Sequence, residues 1–100
     1  MTQRWSPGQL IGDRYRVDRF LAEGGSGEVY AAQNVWTGRL VAVKRLLPGL
    51  QTDATIVERF VTEGRIGGRI EHPNIVQVLD MGREPTDESL FIVQELLRGE

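Results

Sequence analysis

Apolar positions along this chain come in short alternating runs separated by turn residues. Tyr15, Val17 and Phe20 mark a first strand from Tyr15 to Leu21, and its alternation slips near Arg19. A second strand runs from Glu28 to Val35. Trp36-Thr37-Gly38-Arg39 then reads as a turn, with Gly38 where a positive φ is needed. Leu40 to Arg45 forms a third strand with little polar content before Lys44. Two hairpins in succession imply an antiparallel meander and not a βαβ unit. Pro48 and Gly49 break the pattern. Thr55-Ile56-Val57-Glu58 matches a capping box, so a helix starts near residues 52–55. Pro73 ends it, because the residue before proline disfavours the α region. Asn74 to Met81 is a fourth strand, Gly82 to Glu88 a polar turn containing Pro85 and Asp87, and Ser89 to Gln94 an apolar, central fifth strand. Residues 1–13 carry Pro7, Gly8 and Gly12 and read as a flexible lead-in. Trp5 and Trp36 then fall in lead-in and turn, where surface packing is expected. The predicted architecture is α+β: a five-stranded antiparallel sheet with one helix between strands 3 and 4, covering one face.

Composition narrows the class. One hundred residues fit one small domain or one lobe of a larger one. Such a chain buries about 60–65% of the surface its unfolded form exposes, so modest stability is expected. Twelve basic against fourteen acidic side chains give a net charge of −2 with no basic tract, which argues against non-specific nucleic-acid binding. Without cysteine there is no disulfide framework and no thiolate metal site, and the single histidine, His72, builds no metal site alone. No apolar run reaches the roughly 20 residues of a membrane span, and the N-terminus lacks a signal-peptide core. A cytoplasmic domain without membrane contact in this segment is the expectation.

Two stretches carry candidate chemistry. Gly24, Gly25 and Gly27 allow a sharp turn whose backbone approaches a ligand closely and aims its N–H groups at phosphate oxygens. A dinucleotide-binding turn would need a helix directly after the glycines. Here Val29 and Tyr30 continue into a strand, so the loop joins two strands; by itself it could still be an ordinary glycine-rich hairpin. In the helix, Ile56, Phe60, Glu63, Gly67 and Ile70 fall within about 80° of arc. Glu63 is the one charge on that stripe. Either it is solvated at the edge, or it pairs with a cation on the facing sheet, and Lys44 is the candidate. The cost of burying a lone charge favours the pair.

With these residues in view, the chain resembles the N-terminal lobe of a eukaryotic-type protein kinase, most closely the bacterial serine/threonine kinases. The resemblance runs from about residue 14 to residue 100. It rests on Glu23-Gly24-Gly25-Ser26-Gly27-Glu28-Val29-Tyr30, Val41-Ala42-Val43-Lys44, Glu63, His72-Pro73-Asn74-Ile75-Val76 and Phe91-Ile92-Val93-Gln94-Glu95, in that order. The family's established roles would then carry over. Leu21, Ala22, Glu23, Gly24, Gly25, Ser26 and Gly27 would cover the phosphates of ATP. Lys44 would hold the α- and β-phosphates, and Glu63 would hold Lys44. Val29 and Ala42 would roof the adenine, with Gln94 at the gatekeeper position. The carbonyl of Glu95 and the N–H of Leu97 would bond the adenine edge. His72 would be structural.

The chain departs from the family pattern in places. Ala22 stands at the first glycine position, which implies weakened but retained nucleotide binding. Gly64, Gly67 and Gly68 lie in the predicted helix, each costing about 1 kcal/mol relative to alanine, so a mobile helix is expected. The sequence stops at Glu100, before any catalytic loop or Mg2+ ligands, which the resemblance assigns to a C-terminal lobe. Two functions follow as expectations. One is the ATP-binding lobe of a kinase that transfers the γ-phosphoryl of Mg-ATP to a protein hydroxyl, inactive as these 100 residues alone. The other is a non-catalytic module that binds nucleotide weakly or docks on a partner through an apolar underside around Val29, Ala42 and Leu96. In either case, its own C-lobe or a partner protein would cover the open face.

Overall fold

The computed structural model describes residues 4–24, 27–47, 53–65 and 75–96, with the side chains of 63–65 and 75–77 excepted. Six strands form one antiparallel sheet: β1 Leu10–Ile11, β2 Tyr15–Glu23, β3 Gly27–Asn34, β4 Leu40–Leu46, β5 Ile75–Arg83 and β6 Leu90–Leu96. Their order is β1-β2-β3-β4-β6-β5, and helix α1, Ala54–Arg65, joins β4 to β5. The α+β layer pair expected from the pattern is present, with β6 in the interior of the sheet. The sixth strand is β1, inside the stretch read as a lead-in.

The slip in alternation near Arg19 has a physical cause. The β2–β3 pairing shifts register between Val17 and Arg19 and again between Phe20 and Ala22. Each irregularity lets an extra residue into β2 and changes which face the next side chain takes. Phe20 therefore meets Tyr30 edge-on at 5.7 Å, while Leu21 packs on the opposite face. Gly38 has φ 78°, as its turn requires.

The helix begins within the expected window, but its cap is a different residue. The amides of Thr55 and Ile56 donate to Asp53 Oδ1 at 2.9 and 3.3 Å, so Asp53 caps the helix and Thr55 lies inside the first turn. Phe60 is 2% exposed and packs with Leu46 and Ile92, flanked by Ile56 and Val57. Burying that ring stabilises the helix–sheet contact by about 2–3 kcal/mol. Gly67, Gly68, Ile70, His72 and Pro73 lie outside the described residues.

Trp5 corrects the expectation of surface packing, being 4% exposed; Trp36, at 78%, meets it. The segment before β1 crosses the face of the sheet opposite α1. Gly8 N–H donates to the Val17 carbonyl at 2.7 Å, and Val17 N–H to that of Gln9 at 2.9 Å. Trp5, Ile11, Tyr15, Val17, Tyr30, Val43, Phe91 and Val93 form the core on that side. A two-sided sheet explains why β3 and β4 are buried at successive positions instead of alternating.

Candidate functional site

Strand register brings the two glycine- and lysine-bearing stretches together. Across β3 and β4, Gly27 lies opposite Leu46, Val29 opposite Lys44 and Ala31 opposite Ala42. Across β4 and β6, Lys44 lies opposite Ile92 and Ala42 opposite Gln94. Because side chains alternate with period two, Val29, Ala42, Lys44, Ile92 and Gln94 share the face that carries α1. At the loop, Gly24 N–H donates to the Gly27 carbonyl at 2.8 Å. A Cβ on Gly27 would sit 2.6 Å from the Arg45 carbonyl oxygen and 3.2 Å from Lys44 Cε. The lysine stem thus runs directly past the last glycine of the loop.

Lys44 is 9% exposed, and its Nζ lies 5.9 Å from the centroid of the Phe60 ring. The ammonium therefore points into the space between sheet and helix. Such desolvation of an ammonium is costly unless it is paired. Glu63 is in α1, three residues beyond Phe60; its expected pairing with Lys44 lies outside the described residues, as do Gly25, Ser26 and Leu97. Next to Lys44, Val29 and Ala42 are buried together, with half-buried Leu21 and Leu96 against them. Of the three residues expected on an open apolar underside, Val29 and Ala42 are buried, which corrects the expectation for those two, while Leu96 is half-buried. Gln94 is buried beside Ala42. Ala22 lies opposite Val29 in extended backbone, and Glu95 makes an ion pair with Arg39 at 3.5 Å.

The opposite face holds a polar network that the sequence reading missed. Arg45, 1% exposed, donates to Ser89 Oγ at 3.0 Å, Glu28 Oε1 at 3.2 Å and Asp87 Oδ2 at 3.0 Å. Tyr30 Oη donates to Glu28 Oε1 at 2.7 Å, and Trp5 Nε1 donates to Asp87 Oδ2 at 2.9 Å. Burial alone would push the Asp87 carboxyl up. The hydrogen bonds from Trp5 and Ser89 and the charge of Arg45 outweigh that and hold it below the usual carboxylate range. Burial, then the hydrogen bond to Glu28, raises the Tyr30 phenol to about 12; burial and Asp80 do the same for Tyr15. A signal for Arg45 existed. Val41, Val43 and Arg45 alternate, so a charge had to fall on a buried strand face, where it needs partners.

Comparison with known proteins agrees with this geometry. Residues 15–100 match the protein kinase domain family. The chain is 37% identical over 93 residues to the serine/threonine-protein kinase pkn3 of Myxococcus xanthus, covering 93% of this chain and 17% of that protein. It is 41% identical over 95 residues to the DNA damage-responsive serine/threonine-protein kinase RqkA of Deinococcus radiodurans, covering 94% of this chain and 14% of that one. The kinase domain of Mycobacterium tuberculosis PknI superposes with a TM-score of 0.68 at 30% identity, covering 92% of this chain and 36% of that chain. The chain thus spans less than a fifth of the length of these two relatives. With Gly27 packed on Lys44 and Val29 and Ala42 beside them, the chain belongs to the protein kinase domain family and covers the N-terminal part of that domain.

Proposed function

We propose that this chain is the ATP-binding part of a serine/threonine protein kinase that transfers the γ-phosphoryl of Mg-ATP to a protein hydroxyl. The observation that carries this reading is the placement of Lys44. A nearly buried ammonium stands beside the last glycine of the glycine-rich turn and next to a small apolar cluster. These residues fit a nucleotide in kind. Gly24 N–H is taken by the Gly27 carbonyl, so the backbone N–H groups of Gly25, Ser26 and Gly27 would be the ones to meet phosphate oxygens, and Lys44 would supply positive charge where the α- and β-phosphates lie. By the family's pattern, Val29 and Ala42, with Leu21 and Leu96 beside them, would pack on a flat heterocycle, the backbone of Glu95 and Leu97 would meet its edge, and Gln94 would lie at its back. Glu63 would orient Lys44; Phe60, one helical turn before it, already lies near the ammonium. Mg2+ bound with ATP would neutralise charge between the phosphates, held by ligands in the C-terminal part of the family's domain. The chain's own residues bind and orient the nucleotide; they take no proton from the accepting hydroxyl.

The nearly buried Lys44 beside Gly27 favours this reading over a docking module, which has no use for an ammonium at the glycine turn. The test is Lys44→Met in the kinase chain that carries these residues. Phosphoryl transfer should fall by about a hundredfold or more while the thermal melt is retained. Unchanged turnover would overturn the proposal.

A further inference from the structure

The N-terminal segment reaches the root of the glycine-rich hairpin, and nothing in the function proposed above uses it. Glu23 and Glu28 are Cα partners on β2 and β3, the last pair before the turn. Two carboxylates facing each other across a strand pair repel and would splay the arms of the loop. Arg4 lies between them. Its Nη2 is 3.2 Å from Glu23 Oε1 and its Nε 3.6 Å from Glu28 Oε2, while its guanidinium sits 3.9 Å over the Phe20 ring.

The next residue anchors Arg4. Trp5 N–H donates to Tyr30 Oη at 3.1 Å, and the same phenol donates to Glu28. The Trp5 ring stacks on Tyr30 at 5.3 Å and lies under the Arg45 guanidinium at 4.7 Å. Arg45 also donates to Glu28 and is the chain neighbour of Lys44. Glu28 is therefore gripped from one side by the N-terminal segment and from the other by the strand that presents Lys44.

We propose that Arg4–Gln9 is a positioning strap for the phosphate loop: Arg4, anchored by Trp5, draws Glu23 and Glu28 together and so fixes the loop's height over Lys44. Arg4 and Trp5 touch no substrate and act through Glu28. The proposal rests on the ATP-binding reading above.

The test measures affinity for two probes, Mg-AMP-PNP and adenosine, in the kinase chain that carries these residues. Adenosine lacks the phosphates that the loop covers, so a merely structural defect weakens both probes alike. Arg4→Ala should weaken Mg-AMP-PNP about fivefold, leave adenosine unchanged and leave the melting temperature near that of the wild type. Arg4→Lys should restore part of the loss, since it keeps the charge but not the planar fork. Wild-type affinity for Mg-AMP-PNP in Arg4→Ala, or an equal loss for both probes, would overturn the strap while leaving the ATP reading standing. A wild-type chain that binds neither Mg-AMP-PNP nor adenosine would instead defeat the ATP reading and the strap with it.

Discussion

A single methyl group placed at Gly27 probes the contact that joins the two halves of the site. A Cβ there meets two neighbours of different stiffness. Lys44 Cε at 3.2 Å is the far part of a flexible side chain and can yield. The Arg45 carbonyl oxygen at 2.6 Å is backbone, and it must retreat to about the 3.4 Å of ordinary contact. Gly27 and Leu46 are ladder partners, so the retreat opens β3 from β4 at the end where the lysine stem passes. Overpacking of this kind costs about 1–3 kcal/mol, and a backbone obstacle places Gly27→Ala near 2. With a urea dependence of about 1–2 kcal/mol/M, the unfolding midpoint should drop by about 1–2 M at unchanged slope. Gly24→Ala is the internal control, because a Cβ at Gly24 meets nothing within 4 Å. Its stability should stay within about 0.5 kcal/mol of the wild type. Nucleotide affinity should fall in Gly27→Ala, since the same opening moves Lys44 away from the loop. Coincident urea transitions for the two variants would refute the reasoning, because they would mean that β3 and β4 are not in close contact at the loop.

Two further predictions concern the opposite face. Arg45→Met removes the cation shared by Glu28 and Asp87; Glu28 is deeply buried, so the variant should lose about 3 kcal/mol in urea unfolding. Adding Glu28→Gln should recover part of that loss, and equal stability of the single and double variants would count against charge burial as its cause. The Asp87 carboxyl is held below its ordinary pKa in the folded chain, so its stabilising contribution is present above about pH 4 and is lost as the pH falls through the depressed value. Asp87→Asn should therefore be less stable than the wild type at pH 7 and lose less stability on acidification, as read from thermal melts between about pH 7 and pH 2; parallel curves would exclude Asp87 as a contributor.

How much of this was legible in the chain depends on the range over which each signal acts. The strands β2 to β6 were readable because a two-residue period and turn residues such as Gly38 are local. Even the slip near Arg19 was visible before its cause, a pair of register shifts, could be seen. The helix was readable in place but not in its cap, since Asp53 and Thr55 are both competent caps and only the backbone geometry decides between them. The N-terminal segment was misread for the opposite reason. Pro7, Gly8 and Gly12 carry the local marks of a loose segment, whereas Trp5 is held by Tyr30 and Asp87, 25 and 82 residues away. No window along the chain contains those partners.

The adjacent cations Lys44 and Arg45 bring these two kinds of signal together. They occupy consecutive positions on β4, so the pleat sends them to opposite faces of the sheet. Lys44 was found because a glycine-rich loop precedes it in a recognisable order. Arg45 was passed over because its partners come from β3, from the turn before β6 and from the aromatic residue at the N-terminus. Yet the two side chains hang from neighbouring Cα atoms, and any movement of β4 that disturbs one disturbs the other. Arg45, pinned by Glu28, Asp87 and Ser89, holds this part of β4 against β3 at the foot of the loop. The buried network on one face is therefore the mechanical reference for the lysine on the other. The proposed site, which reads in sequence as a glycine loop and a lysine, depends physically on a third element, the back of the sheet, where the bonds of Arg45 to Glu28, Asp87 and Ser89 span 17, 42 and 44 residues.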